Sequence, residues 1–136
     1  MRHEPYAAEL KALPTMSDGE RLDYFLLRIF ETDEVWGLDE GADWLVREHG
    51  DDLYMPLWPY RRFAADAALD FLHDGSPASV ALEHFIDNTL RPLMDSDTLL
   101  EIMPRDADTL GCVITPHRLL DILIGLFDAS EYRLDG

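Results

Sequence analysis

The stretch EVWGLDEGADWLVREHGDDLYMPLW, residues 34–58, decides the fold class. It contains three short segments rich in aromatic and β-branched residues, 34–38, 43–47 and 53–58, which are separated by acidic turns that contain glycine. Such segments are typical of strands in an antiparallel meander. Because Pro56 has no backbone N–H to donate, we expect the third strand to be at an edge of the sheet or bulged at this residue.

Helical patterns flank this meander. Ser17 and Glu20 have the spacing of a capping box, and apolar residues follow at helical spacing. Pro59, the pair Ser76-Pro77 and the pair Thr115-Pro116 are typical of helix starts. The predicted helices cover residues 17–32, 59–73, 76–93 and 115–127, and two further strands cover 98–103 and 111–114.

The order of these elements, α-β-β-β-α-α-β-β-α, groups strands with strands and helices with helices, which is typical of the α+β class. We therefore expect one antiparallel sheet of about five short strands, a meander plus a hairpin, packed by about four helices. The chain of 136 residues suits one domain. We assign residues 17–128 to this domain, 1–16 to a loosely attached N-terminal arm with a helical turn around 7–13, and 129–136 to a C-terminal tail.

The charge of the chain excludes several classes of protein. There are 28 Asp and Glu residues against 11 Lys and Arg, which gives a formal net charge of −17 at pH 7. A basic face is needed to bind phosphates or anionic lipid, so we expect neither a nucleic-acid nor a membrane partner. No apolar run approaches the roughly 18 residues of a membrane span, and the first residues do not resemble a signal peptide. Together with the lone Cys112, which we expect in the core, these features predict a cytoplasmic protein.

Candidates for catalysis or metal binding are weak. The carboxylates of residues 39–52 could hold a hard cation, but they lack the spacing of an EF-hand loop. Asp70 and His73 lie on one predicted helix face without a third ligand. There is no nucleophile-elbow motif and no phosphate-binding glycine loop. We therefore expect a non-catalytic protein with no cofactor and no bound metal.

Aromatic residues and the only adjacent pair of basic residues, Arg61-Arg62, point to a protein-binding surface. Trp, Tyr and Arg are the residues that most often anchor interfaces. Rings of this segment could also belong to the core, and the arginines could pair with acids of the same chain. The predicted partner-binding residues are Trp58, Tyr60, Arg61 and Arg62, together with the acidic Asp39, Glu40, Asp51 and Asp52.

Several segments resemble an uncharacterised bacterial family known only as a domain of unknown function. The most specific are Val-Trp-Gly-Leu at 35–38 and Pro-Leu-Trp-Pro at 56–59. Weaker similarity extends over roughly residues 17–127, with Leu-Glu-His-Phe-Ile at 82–86 and Gly-Cys-Val-Ile at 111–114. The resemblance implies a small intracellular α+β protein and supplies no catalytic residues.

The leading hypothesis is an acidic, non-catalytic module that binds a basic protein. In a sharper form it is an immunity protein that neutralises a basic toxin by binding it, an analogy of size, charge and fold class. One alternative is a homodimeric structural or regulatory protein. Another is a small metal- or ligand-dependent enzyme that uses the carboxylates of residues 39–52.

The enzyme alternative makes a prediction about cations. A divalent cation that binds only the folded chain would raise its melting temperature. We expect no rise with millimolar calcium, magnesium, manganese or zinc in a thermal unfolding series. A rise that disappears in the Asp51→Asn, Asp52→Asn double variant would favour the enzyme.

Overall fold

The computed structural model describes residues 5–41, 43–73, 75–108 and 110–135, with side chains up to residue 129. Within these ranges the fold is α+β, as the sequence predicts. The helices are α1 (Ala7–Ala12), α2 (Asp18–Thr32), α3 (Arg61–Asp70), α4 (Leu82–Phe85), α5 (Arg91–Leu93) and α6 (Pro116–Asp135). The strands are β1 (Glu34–Asp39), β2 (Arg47–His49), β3 (Asp52–Leu57), β4 (Ser76–Ala81), β5 (Thr98–Ile102) and β6 (Cys112–Ile114).

The prediction of one antiparallel sheet is wrong. The described strands form a mixed sheet of order β2-β3-β5-β6 and a separate antiparallel pair, β1 and β4. In the mixed sheet β3 and β5 are parallel, with Leu53 beside Thr98 and Leu57 beside Ile102. A parallel pair needs a long crossover, and here α3, β4 and the helical run of residues 82–93 supply it.

The strand β4 replaces the predicted start of the third helix. Ser76-Pro77 does not cap a helix but pairs with Asp39 and Leu38 of β1, and the helix begins only at Leu82. A proline is tolerated in an edge strand, where its missing donor faces away from a partner strand. The Ser-Pro pattern is compatible with both uses.

The predicted second strand, 43–47, is also shifted. Trp44 forms an isolated bridge with Asp39, and the Leu45 N–H donates to the Leu38 carbonyl at 2.7 Å. Trp44 and Leu45 therefore lie back against β1, and regular pairing of β2 with β3 begins at Arg47.

Two tryptophans connect the two sheets through their backbones. Trp36 of β1 and Trp58, which follows β3, exchange N–H···O bonds of 2.9 and 2.8 Å. Regular pairing with β2 ends at Tyr54, so Pro56 lies between the last pair with β2 and this bridge. Although β3 is a central strand, its proline lies where the pairing with β2 is interrupted. The lack of an N–H donor at Pro56 is therefore tolerated.

Gly37 is required because an aromatic ring lies against it. A Cβ atom at this position would overlap the Trp44 ring, whose other contacts include an edge-to-face arrangement with Phe85 at 6.3 Å between centroids. The two most specific segments of the sequence, around Trp36-Gly37 and Trp58, are therefore structural devices that join the sheets.

The core lies on one face of the mixed sheet. Alternate residues of β3 and β5, such as Leu57 and Leu100, are fully buried with Phe25 of α2 and Leu119 of α6. The run 82–93 contains a π-helical segment, Ile86–Leu90, after which the Arg91 N–H bonds to the Ile86 carbonyl. This wider turn precedes Pro92, whose ring would clash with a carbonyl of a regular helix.

Parts of the predicted arm and of the predicted tail are helical in the structure. Of the arm, residues 1–4 lie outside the described ranges, but Glu9 accepts a bond of 2.6 Å from the Tyr24 hydroxyl. Leu10, Leu13 and Met16 pack on the core. At the other end, α6 continues to Asp135 and includes most of the predicted tail.

A buried ion pair crosses the opposite face of the mixed sheet. Arg47 of β2 donates from Nε and Nη2 to the two carboxylate oxygens of Glu101 of β5, at 2.8 and 2.7 Å, and Glu101 is fully buried. Glu101 also accepts from Gly111 N–H at 3.1 Å, and Arg47 donates to the Asp106 carbonyl at 2.9 Å. The Arg47 guanidinium lies 5.6 Å from the centroid of the Phe71 ring.

We predict that Glu101→Leu lowers the free energy of unfolding by about 3–5 kcal/mol, because it leaves Arg47 without its counter-charge. The double variant Arg47→Met, Glu101→Leu should lose less than Glu101→Leu alone. Denaturant unfolding measures both. Breaking the exposed Arg62–Asp66 pair with Arg62→Met is the control, and it should change stability by less than about 1 kcal/mol. A double variant less stable than Glu101→Leu would contradict this explanation.

We predict that Gly37→Ala destabilises the protein by about 1–3 kcal/mol, because the methyl group displaces the Trp44 ring. Gly125→Ala in α6 is the matched control, since a Cβ there meets no atom within 4 Å. It should stabilise the helix by about 0.5–1 kcal/mol. Equal thermal stability of the two variants would show that Trp44 moves aside freely.

Candidate functional site

The parallel pairing of β3 and β5 brings two acidic segments of the chain together. Asp51 and Asp52 stand where β3 begins, and Asp95 and Asp97 stand just before β5 begins. Since Leu53 pairs with Thr98, the two starts lie side by side at one end of the sheet. The sequence shows that both segments are acidic, but their proximity depends on the parallel pair.

Asp51, Asp52 and Asp97 border a groove of about 420 Å³, here called the acidic groove. Asp51, Asp52 and Asp97 are exposed and supply its charge, and half-buried Leu93, Met94 and Leu99 supply its apolar lining. The remaining lining residues are Ser96, Thr98, Thr115, Pro116 and His117. The groove thus combines carboxylates with an aliphatic surface.

Short-range hydrogen bonds fix the shape of the groove. The Ser96 hydroxyl donates to the Leu93 carbonyl at 2.9 Å and accepts from Thr98 N–H at 3.2 Å, so the turn before β5 is held at both ends. Thr115 accepts from Arg118 N–H at 3.1 Å and caps α6 beside His117. The described lining contains no Lys or Arg, so the charge of its aspartates is not neutralised by a lining cation.

The exposed carboxylates of the groove can form ion pairs with a cationic group. Within the ranges that the structure describes, no group of three or more His, Cys, Asp or Glu side chains could hold a metal ion. Cys112 is buried, as expected, and burial raises the pKa of its thiol. His73 lies beyond the end of α3 at Asp70, so these two residues do not share a helix face.

The structure separates the predicted partner-binding residues. Asp51 and Asp52 belong to the acidic groove. Asp39 lines a different cavity of about 170 Å³, next to Asp43 and Trp44, and the exposed Glu40 follows it after β1. The four acids therefore do not line one cavity.

Trp58 and Tyr60 were predicted on the partner surface, and this assignment is wrong for the folded chain. Their exposed fractions are 2% and 1%, because the Trp58 backbone joins the two sheets and Tyr60 packs against Phe63. The alternative that these rings belong to the core is confirmed.

Arg61 and Arg62 lie on the exposed first turn of α3 and do not line the acidic groove. Arg62 pairs with Asp66 one turn further along, at 3.3 Å. The alternative of pairing within the chain is thus confirmed for Arg62.

Sequence reasoning missed Asp97, His117 and the apolar lining of the groove. The acidity of residues 95–108 was a signal, but the groove exists only because β5 lies parallel to β3.

Among the described residues, no helix is both long enough and apolar enough to cross a membrane.

The comparisons with known proteins identify one family. The model of a family described as "Protein of unknown function (DUF2750)" matches residues 22–123. This match confirms the resemblance to a family of unknown function, and its range includes both segments, 35–38 and 56–59. No curated protein matches the chain. No solved structure matches it either.

Proposed function

Since the chain belongs to the DUF2750 family, whose function is unknown, we propose from its own geometry that it is a non-catalytic module that binds a basic protein segment. The observation that carries this proposal is the acidic groove. Its three exposed aspartates can pair with Lys or Arg, and its aliphatic lining can hold the methylene stems of these side chains.

The charge of the whole chain supports the same function. A net charge of −17 attracts a basic partner and speeds its association at low salt. Asp51, Asp52 and Asp97 then provide the specific contacts, because they border the aliphatic lining of the groove.

The more specific form of the proposal is that the partner is a basic toxin, which the groove neutralises by covering its cleft. Its support is analogy: small acidic proteins of the α+β class include immunity proteins. In this form the module acts by binding alone.

We predict that replacing Asp51, Asp52 and Asp97 together by Asn weakens binding of a lysine- and leucine-rich peptide by at least about tenfold. The measurement is fluorescence anisotropy of the labelled peptide at low and high salt. The control replaces Asp23, Glu83 and Asp121, which are exposed elsewhere, by their amides. Both sets remove three negative charges, so a purely non-specific attraction would weaken equally in both.

The same two variants test the native partner. A pull-down from the native cell extract should retain a basic protein with the wild type and the control variant and lose it with the groove variant. If the captured protein is a toxin, its expression alone should arrest growth. Its co-expression with the control variant should restore growth. Equal capture by both variants would contradict the groove as the binding surface.

A further inference from the structure

A cavity of about 390 Å³ lies at the other end of the parallel strands. Trp58 and Met103, which follow the last residues of β3 and β5, both line it, together with parts of the N-terminal arm, α2 and α3. It shares no lining residue with the acidic groove. Crevices outside the carboxyl ends of parallel strands are frequent ligand sites in sheets, and the volume is within the range of about 300–1,000 Å³ for small-molecule pockets.

Arg21 of α2 is a buried cation in the wall of this cavity. The residue is 5% exposed, and its two terminal nitrogens donate to the carbonyls of Met103 and Leu13, both at 2.9 Å. Its Nε has no hydrogen-bond partner, and the ion pairs found among the described residues do not include Arg21. Burial and the neighbouring Arg105 lower the pKa of Arg21, and the Asp18 carboxylate opposes this shift only in part.

Arg105 places a second guanidinium on the same cavity. Its Nη2 donates to the Met16 carbonyl at 2.9 Å and to Asp18 at 3.1 Å, and a third of its side chain is exposed (33%). In the described part of the chain these bonds use only Nη2, which leaves Nε and Nη1 for a ligand.

The wall next to Arg21 is held in a costly conformation. Met103 has a φ of 51°, in the left-handed region that a non-glycine residue rarely adopts. Its N–H donates to the Leu57 carbonyl and its carbonyl accepts from Arg21. Such strained positions concentrate at ligand sites, where the surrounding structure fixes them.

The rest of the lining is apolar on one side and acidic on the other. Phe71 is half-buried and contributes aromatic surface beside the buried Trp58 and Phe63, while Asp66 and Asp70, one turn apart on α3, contribute carboxylates. The arginines favour one negative charge on a ligand, and the aspartates oppose a second one.

We propose that this cavity binds a small aromatic monocarboxylic acid. Arg105 donates to the carboxylate, Arg21 supplies the positive charge behind it, and the aromatic body packs on the half-buried Phe71 ring. This site is independent of the proposed protein-binding function, because the two involve opposite ends of β3 and β5.

The test uses 3-phenylpropionate as the probe, with 3-phenylpropanol as its neutral analogue and phenylsuccinate as its dianionic one. Isothermal titration calorimetry on the full chain should show that the monoacid binds at least about tenfold more tightly than either analogue. The alcohol cannot accept charge-assisted hydrogen bonds, which are the stronger ones, and the second charge of phenylsuccinate is repelled by Asp66 and Asp70. Arg105→Gln should weaken the monoacid by about the same factor and leave the alcohol unchanged.

A cavity-filling variant tests the location without altering charge. Ala67 lines the cavity, so Ala67→Met should abolish binding of the monoacid, whereas Ala65→Met on the same helix, outside the lining, should retain it. Thermal unfolding verifies that each variant is folded. Absence of binding by the monoacid at millimolar concentration, equal binding of the alcohol, or full binding by folded Ala67→Met would overturn the proposal.

Discussion

The buried pair of Arg47 and Glu101 is the interaction on which the mixed sheet depends. It reaches from β2 across β3 to β5, and the same two side chains bind the Asp106 carbonyl and the Gly111 N–H of the connection to β6. A carboxylate without exposed surface would be strongly destabilising by itself, but this one accepts from three N–H groups, two of which belong to the Arg47 cation. The pair connects β2 to β5 and to the loop between β5 and β6. Because β3 lies between β2 and β5, the pair favours a single register of β3 and β5.

That register gives the two ends of the parallel pair opposite characters. The starts of β3 and β5 carry Asp51, Asp52 and Asp97, and repulsion among these exposed charges is screened by water and salt. The ends of the same strands lead into the wall that contains Arg21, where burial leaves less screening. The proposed protein-binding and ligand-binding sites thus follow from one topological feature, and neither needs a separate domain.

Much of the fold follows from sequence pattern, and the failures have identifiable physical causes. Most helices and strands are predicted correctly from three kinds of pattern: the capping box of Ser17 and Glu20, the proline at the start of α6, and the apolar periodicities. Local patterns do not determine which distant strands pair. They therefore could not predict the parallel β3–β5 pair or the acidic groove. Ser76-Pro77 misled because the same dipeptide suits a helix start and an edge strand. Trp58 was assigned to the partner surface because a tryptophan that anchors an interface and a tryptophan of the core look the same in the sequence.

The edge strand β4 has a consequence for self-association. Open strand edges can recruit another copy of the same chain, which extends the sheet from one molecule into the next. Among the described strands β4 pairs only with β1, and Pro77 lies near its start, opposite Leu38. An incoming strand needs a continuous row of donors, and the proline ring removes one and adds bulk. The residue that imitates a helix start in the sequence therefore protects the folded molecule against polymerisation through this edge.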